Sequence, residues 1–293
     1  MKHFVLFVVL FSFTYLFANV QESSGNKLKN IRVIANAFYG EDIDKINYKD
    51  AKMAMDIWIK KMADKLGASS TLAFFTDFDA VKKAKKEGKV DTLILSAHSY
   101  LKYLPYCKAE FSQGWMKIEK DGKPFFRFVI LGHKDFVKKD EYVVEYYQYS
   151  QTSKLVGEIY AWKHGLHTVF KPVAKSSKPV LDLFFHKADL AVVKEETWNI
   201  MQELNPQLTK ELRVMHYSDR IFVDIITLFS NQLSQKDKDI YMKAIEAINT
   251  TPDGKQLMEL FKFNGLTKMG EDQFKEMEKF YRKYQELKAQ YEK

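Results

Sequence analysis

This chain of 293 residues has little of what staples or interrupts a protein. Its one cysteine, Cys107, excludes an internal disulfide and any cysteine-based zinc or iron–sulfur site. Six prolines and twelve glycines are too few for a collagen-like or linker-dominated chain. The apolar run from Phe4 to Phe17 is fourteen residues long, softened by Ser12 and Thr14, and short of the ~20 that span a bilayer. There is no GxSxG elbow, HExxH, Walker loop or GxGxxG. His133, His164, His167 and His186 have no spacing that suggests a metal, and no pair of carboxylates announces acid–base work. The sequence therefore predicts neither an enzyme, nor a metal site, nor a cofactor.

What is present is a globular composition, 46% hydrophobic and 29% charged, long enough for two lobes each with its own core. The net charge of +8 is spread, with Lys and Glu interleaved. No basic stripe interleaved with aromatics occurs, so nucleic acid is not an expected partner; the balance mildly favours anionic ligands. Lys2 and His3 precede the apolar run, and Leu16-Phe17-Ala18 at its end offers a small residue at the cut and a tolerable one two before it. That order predicts a secretory signal peptide cut after Ala18.

Along the chain, strands are predicted at 30–37, 71–75 and 91–96, with helices at 49–66 and 77–87, the latter capped by Asp77. Such alternation implies βαβ units and a parallel sheet. At 115–131 the rhythm breaks: two extended runs flank Asp121-Gly122, and an antiparallel ribbon is expected there. Alternation resumes with strands at 142–149, 167–172, 189–193 and 212–217 and helices at 152–164, 179–186 and 195–204. A further strand at 221–228 carries the chain back, and three helices follow, at 235–249, 252–261 and 271–291. The fold class is α/β: two lobes, each a mostly parallel sheet flanked by helices, with a cleft between them. The first lobe takes residues 19–124 and 218–293, the second is inserted as 125–217, and extended crossovers join them.

Ligands of parallel sheets sit at the carboxyl ends of strands beside helix N-termini. The richest such junction is Tyr149-Ser150-Gln151-Thr152-Ser153. Unpaired N–H groups, hydroxyls and the positive end of a helix dipole make it an anion site, or else a plain helix cap. Ser96-Ala97-His98-Ser99-Tyr100 occupies the corresponding edge of the first lobe, where Ser96, His98 and Tyr100 can donate to an oxyanion. Tyr39 and Thr76 lie at the edges after the first two strands. Glu195 and Asp219 are weaker candidates, for a cationic or hydroxyl tail of the ligand.

Four segments in order resemble the periplasmic phosphate/phosphite/phosphonate-binding proteins of ABC transporters, of the type II periplasmic binding fold. They are Lys65-Leu66-Gly67 leading to Phe75-Thr76-Asp77-Phe78; the 84–91 stretch with Ser96 and Tyr100; Lys187-Ala188-Asp189-Leu190-Ala191-Val192-Val193 with Asn205-Pro206 and the 212–218 strand; and 250–257 ending Phe263-Asn264-Gly265. In that family a Ser-Thr-x-Ser turn holds the phosphoryl oxygens. Ser150-Gln151-Thr152-Ser153 occupies it here, with Gln151 in place of a hydroxyl residue, and Tyr100 matches the first-lobe tyrosine. The family's histidine is replaced by the Ser176-Ser177-Lys178 stretch, and its Asp-Leu-x-Gly segment by Lys138-Lys139-Asp140-Glu141. The resemblance implies a monomeric periplasmic protein that closes on a small oxyanion and serves an ABC permease or, alternatively, a membrane sensor.

Overall fold

In a computed structural model, the described residues are 33–39, 56, 60, 69–117, 122, 124–223, 225–261, 264–268 and 271–291. The predicted signal peptide and its cleavage point lie outside them, as does the 49–66 helix apart from Asp56 and Lys60, both helical. Among the described residues no helix is long and apolar enough to cross a membrane.

Among the described residues, eleven strands form two sheets. The first contains β1 (Val33–Tyr39), β2 (Ser69–Phe75), β3 (Thr92–Ser96), β4 (Phe111–Lys117), β10 (Ile225–Ser230) and β11 (Leu266–Lys268), ordered β11-β4-β10-β3-β1-β2. β1 runs parallel to β2 and β3, while β10 lies antiparallel between β3 and β4. The strands β1 to β4 therefore point one way and β10 and β11 the other, so the predicted parallel character holds for direction but not for every pairing. Asp91 fixes the entry into β3: its carboxylate accepts from Ala35 N at 2.9 Å and its own N–H donates to Ala35 O at 2.7 Å. Beneath it, buried Asn36 accepts from Thr92 Oγ1 (2.6 Å) and Tyr241 OH (2.9 Å) and donates to Thr71 O (3.0 Å). The buried amide is thus satisfied on both its polar atoms. At Gly114 the sheet register shifts, and a Cβ there would sit 1.9 Å from Thr227 O; only glycine permits that approach.

The second sheet holds β5 (Phe128–His133), β6 (Tyr142–Tyr147), β7 (Thr168–Val173), β8 (Leu190–Lys194) and β9 (Leu212–Tyr217), ordered β7-β6-β8-β5-β9. β6 is parallel to β7 and β8, and β5 is antiparallel to β8 and β9. The predicted antiparallel ribbon across Asp121-Gly122 is corrected here. Gly122 has the positive φ of a turn, but β4 finds its partners in the first sheet and β5 in the second. The connection is a crossover. The returning strand also begins later than predicted, at Ile225, and belongs to the first sheet. Between the sheets the two crossovers pair with each other: Phe126 N donates to Phe222 O at 2.9 Å and Phe222 N to Phe126 O at 3.2 Å.

The helices are α1 (Phe78–Lys86), α2 (Ala97–Lys102), α3 (Leu104–Glu110), α4 (Gln151–Lys163), α5 (Lys178–Phe184), α6 (Glu195–Leu204), α7 (Leu208–Glu211), α8 (Gln235–Thr250), α9 (Pro252–Phe261) and α10 (Glu271–Tyr291). Asp77 caps α1 as its sequence predicts, accepting from Asp79 N at 3.0 Å. Helices cover both faces of the second sheet, which explains why its strand Phe128–His133 reads as a continuous apolar run. Val144 and Val192 pack on Val156 of α4, while Val129 and Val193 pack on Val180 of α5 and Trp198 of α6. The amphipathic α10 serves both sheets: Phe274 and Met277 enter the first core, whereas Phe280 and Tyr284 pack beside α4.

Candidate functional site

The helices that follow β3 and β6, α2 and α4, approach each other. At the second-sheet junction, Ser150 is the N-terminal residue before α4, yet its side chain makes no capping hydrogen bond. Its carbonyl does the local work instead, accepting from Ser153 N at 2.9 Å and from Ser153 Oγ at 2.5 Å. Gln151 turns back as well, donating from Nε2 to Gln148 O at 3.1 Å. The expectation that Ser153 presents an uncommitted N–H and hydroxyl is therefore corrected. Ser153 is buried and its donors hold the turn. Thr152 differs. Its hydroxyl makes no hydrogen bond among the described residues, and with Gln151 it leads the helix, where N–H groups lack intrahelical acceptors.

At the first-sheet junction, Ser96 caps α2: its Oγ accepts from Ser99 N at 3.1 Å and donates to Ser99 Oγ at 3.0 Å. His98 stands half-buried in the first turn of that helix. Tyr100 points away into the first core, edge-on to Phe274, with its hydroxyl donating to Glu278 Oε1 at 3.4 Å. Burial and the Glu278 carboxylate raise its pKa far above the ordinary phenol value, so it stays protonated. Tyr39 is 2% exposed, packs edge-on to Phe78 and shares a 3.4 Å hydrogen bond with Tyr103. It is core rather than cleft floor. Thr76 is exposed after β2.

The remaining candidates lie elsewhere. Lys178, in the first turn of α5, is ion-paired to Asp182, which holds its pKa up. Asp182 in turn meets Glu145 of β6, and both carboxyls are buried. Burial, then Asp182, pushes the Glu145 carboxyl up to about 7, against the pull of Lys178 and Lys171. Burial also disfavours the Asp182 carboxylate, but hydrogen bonds with Lys178 and Glu145 outweigh it and hold its pKa down. Glu195 is already ion-paired through both carboxylate oxygens: Arg127 binds one at 2.5 Å and Arg220 the other at 2.6 Å. Arg127 also lies over the Tyr217 ring at 4.3 Å, and Arg220 reaches Phe125 O at 3.4 Å. The trio clasps the two crossovers beside the Phe126–Phe222 pair. Asp219 lines a cavity between α4 and α10.

Sequence reasoning missed Arg127, Arg220 and Glu145. Glu145 carried a readable signal, an acid inside the apolar strand YVVEYY, since a buried Glu requires partners. The arginines carried none, because their partner Glu195 is 68 residues from one and 25 from the other.

No curated protein matches the sequence. Solved structures match its fold. A chloride-bound protein from Xanthomonas citri superposes with a TM-score of 0.64 at 9% identity, over 88% of this chain and 99% of that one. A binding-protein component of an ABC phosphonate transporter from Pseudomonas aeruginosa gives 0.59 at 14% identity, over 88% of each chain. PhnD1 of Prochlorococcus marinus, in complex with methylphosphonate, gives 0.58 at 13% identity, over 86% of this chain and 98% of that one. At these identities they speak for the two-lobed periplasmic-binding-protein fold. The family model "ABC transporter, phosphonate, periplasmic substrate-binding protein" matches residues 47–274, well over half of the sequence, and the chain belongs to that family.

Proposed function

We propose that this protein captures a small oxyanion, a phosphate, phosphite or phosphonate, between its two sheets and delivers it to an ABC permease. The observation that carries the reading is the turn before α4. Ser150 leaves the helix N-terminus uncapped by its side chain, Ser153 braces the turn from inside, and Thr152 retains a hydroxyl with no partner among the described residues. An anion there accepts from Thr152 Oγ1 and from the leading N–H groups, and gains the helix dipole. The lobes divide at 124/125 and 217/218, and cleft closure bends the crossovers there. The Phe126–Phe222 pair and the Arg127–Glu195–Arg220 clasp keep both crossovers moving as one hinge.

Calorimetric titration with phosphate, phosphite, methylphosphonate and sulfate tests the reading. Saturable one-to-one binding of at least one phosphorus oxyanion, accompanied by a raised melting temperature, is expected. Absence of binding for all three phosphorus oxyanions would overturn it.

A further inference from the structure

A cavity of about 310 Å³ opens between the C-terminal half of α4, the returning segment around Ser218 and the middle of α10. Its floor is apolar, built by Ile159, Tyr160 and Phe280, and His216 lies 5.7 Å from Tyr160, ring to ring. Its rim is cationic. Lys163, Lys279 and Lys283 stand there with two imidazoles, against the carboxylates of Asp219 and Glu276.

The charges are poorly matched. Glu276 engages Lys279 at 3.9 Å, whereas Lys163 and Lys283 have no ion-pair partner among the described residues. Burial and then the neighbouring Lys283 lower the pKa of Lys163; Asp219 opposes this only in part. His216 is lowered too, by burial and then by Lys163. A helix favours cations at its C-terminus, which accounts for Lys163 at the end of α4. It does not account for Lys279 and Lys283, which lie inside α10. Two ammoniums held together above an apolar floor have an unmet need for negative charge.

We infer that this cavity is a binding site for an amphiphilic anion, a phosphate or carboxylate head carried on an apolar body. The head bridges Lys163 and Lys283, and the body lies over Tyr160 and Phe280. The site is separate from the turn at Ser150–Ser153, since it lies at the opposite end of α4. A site joining α4 to α10 touches elements of both sheets' cores, so its occupant links to the packing between them.

Octyl phosphate and inorganic phosphate serve as probes, titrated into the wild type, Thr152→Ala and the double variant Lys163→Gln/Lys283→Gln, with circular dichroism confirming that each is folded. Octyl phosphate is expected to bind wild type and Thr152→Ala alike and to weaken at least tenfold in the double variant. Inorganic phosphate, lacking the body, is expected to be insensitive to the double variant. Failure of octyl phosphate to bind the wild type, equal affinity in the folded double variant, or loss of binding in Thr152→Ala would each overturn the inference. Sedimentation with phosphatidylglycerol vesicles separates the sources of such an anion. Capture that disappears in the double variant identifies a membrane lipid, and octyl phosphate binding without capture identifies a free amphiphile. Because the cleft reading rests on Thr152 and this one on the lysines, either can fail alone.

Discussion

Two serines open helices at the carboxyl ends of strands in this protein, and they use their hydroxyls in opposite ways. Ser96, after β3, closes on the first turn of its own helix, accepting from Ser99 N and donating to Ser99 Oγ. Ser150, after β6, leaves its side chain out of the turn and uses its carbonyl to accept both donors of Ser153. A capped turn has spent its side-chain donor on itself. A turn braced from the inside keeps its leading N–H groups for something that arrives from outside. The two junctions look alike in sequence and differ in what they have left to offer.

The sharpest way to break this comparison is Thr152→Ala. If Thr152 donates to a bound oxyanion, the change costs about 1.5–3 kcal/mol of binding, roughly tenfold to a hundredfold in affinity. Calorimetry reads the affinity, and a melting curve should hardly move. An unchanged affinity with a lowered melting temperature would make the Ser150 turn a cap like its counterpart.

Next is the carboxyl pair beneath the same strand. The pKa of Glu145 lies near 7, above the ordinary 4.5. The fold therefore favours the protonated form. The stability this group contributes is complete below about 4.5 and is lost as the pH rises through about 7. Glu145→Gln should remove that loss and raise stability at pH 8 by about 1–3 kcal/mol, the range for a buried group left unsatisfied. Denaturant melts between pH 5 and 8 check it; equal slopes in both proteins would place the titration elsewhere.

Ser96→Ala is expected to cost about 1 kcal/mol of stability through the lost cap, with oxyanion affinity unchanged. A drop in affinity would return Ser96 to the binding site and erase the difference between the junctions. Ser153→Ala carries the smallest expected effect, about 0.5–1 kcal/mol of stability, because Ser150 O keeps its bond from Ser153 N. Any loss of affinity there measures how far the brace shapes the turn.

Much of the fold was legible because the signals are local. The capping Asp77, the helix at Glu195–Leu204, the strand at Leu212–Tyr217 and the long charged α10 all follow from side-chain periodicity and end residues within a dozen positions. The turn at Asp121-Gly122 was equally local and misled, since a glycine with positive φ specifies a bend but not which strands pair beyond it. β4 pairs with β10, more than a hundred residues onward, and no local pattern encodes that. The site divides the same way. The hydroxyl-rich turn at Ser150–Ser153 is visible in the sequence, while the inward aim of Ser153 and the burial of Tyr39 are not.

What the sequence by itself determined is the alternation of strands and helices, the caps, and the lack of disulfide and cysteine-based metal chemistry, because these depend on composition and on spacing along one segment. The tertiary structure alone decided which polar groups remain available. Glu195 reads as a helix-opening acid, yet two arginines brought together from separate crossovers consume it. Tyr100 reads as a cleft donor, yet Glu278 of the last helix takes its hydroxyl. Thr152 keeps its hydroxyl because the packing around α4 brings it no partner among the described residues. A hydrogen bond needs its donor and acceptor within about 3 Å, and for groups scores of residues apart only the folded chain sets that distance.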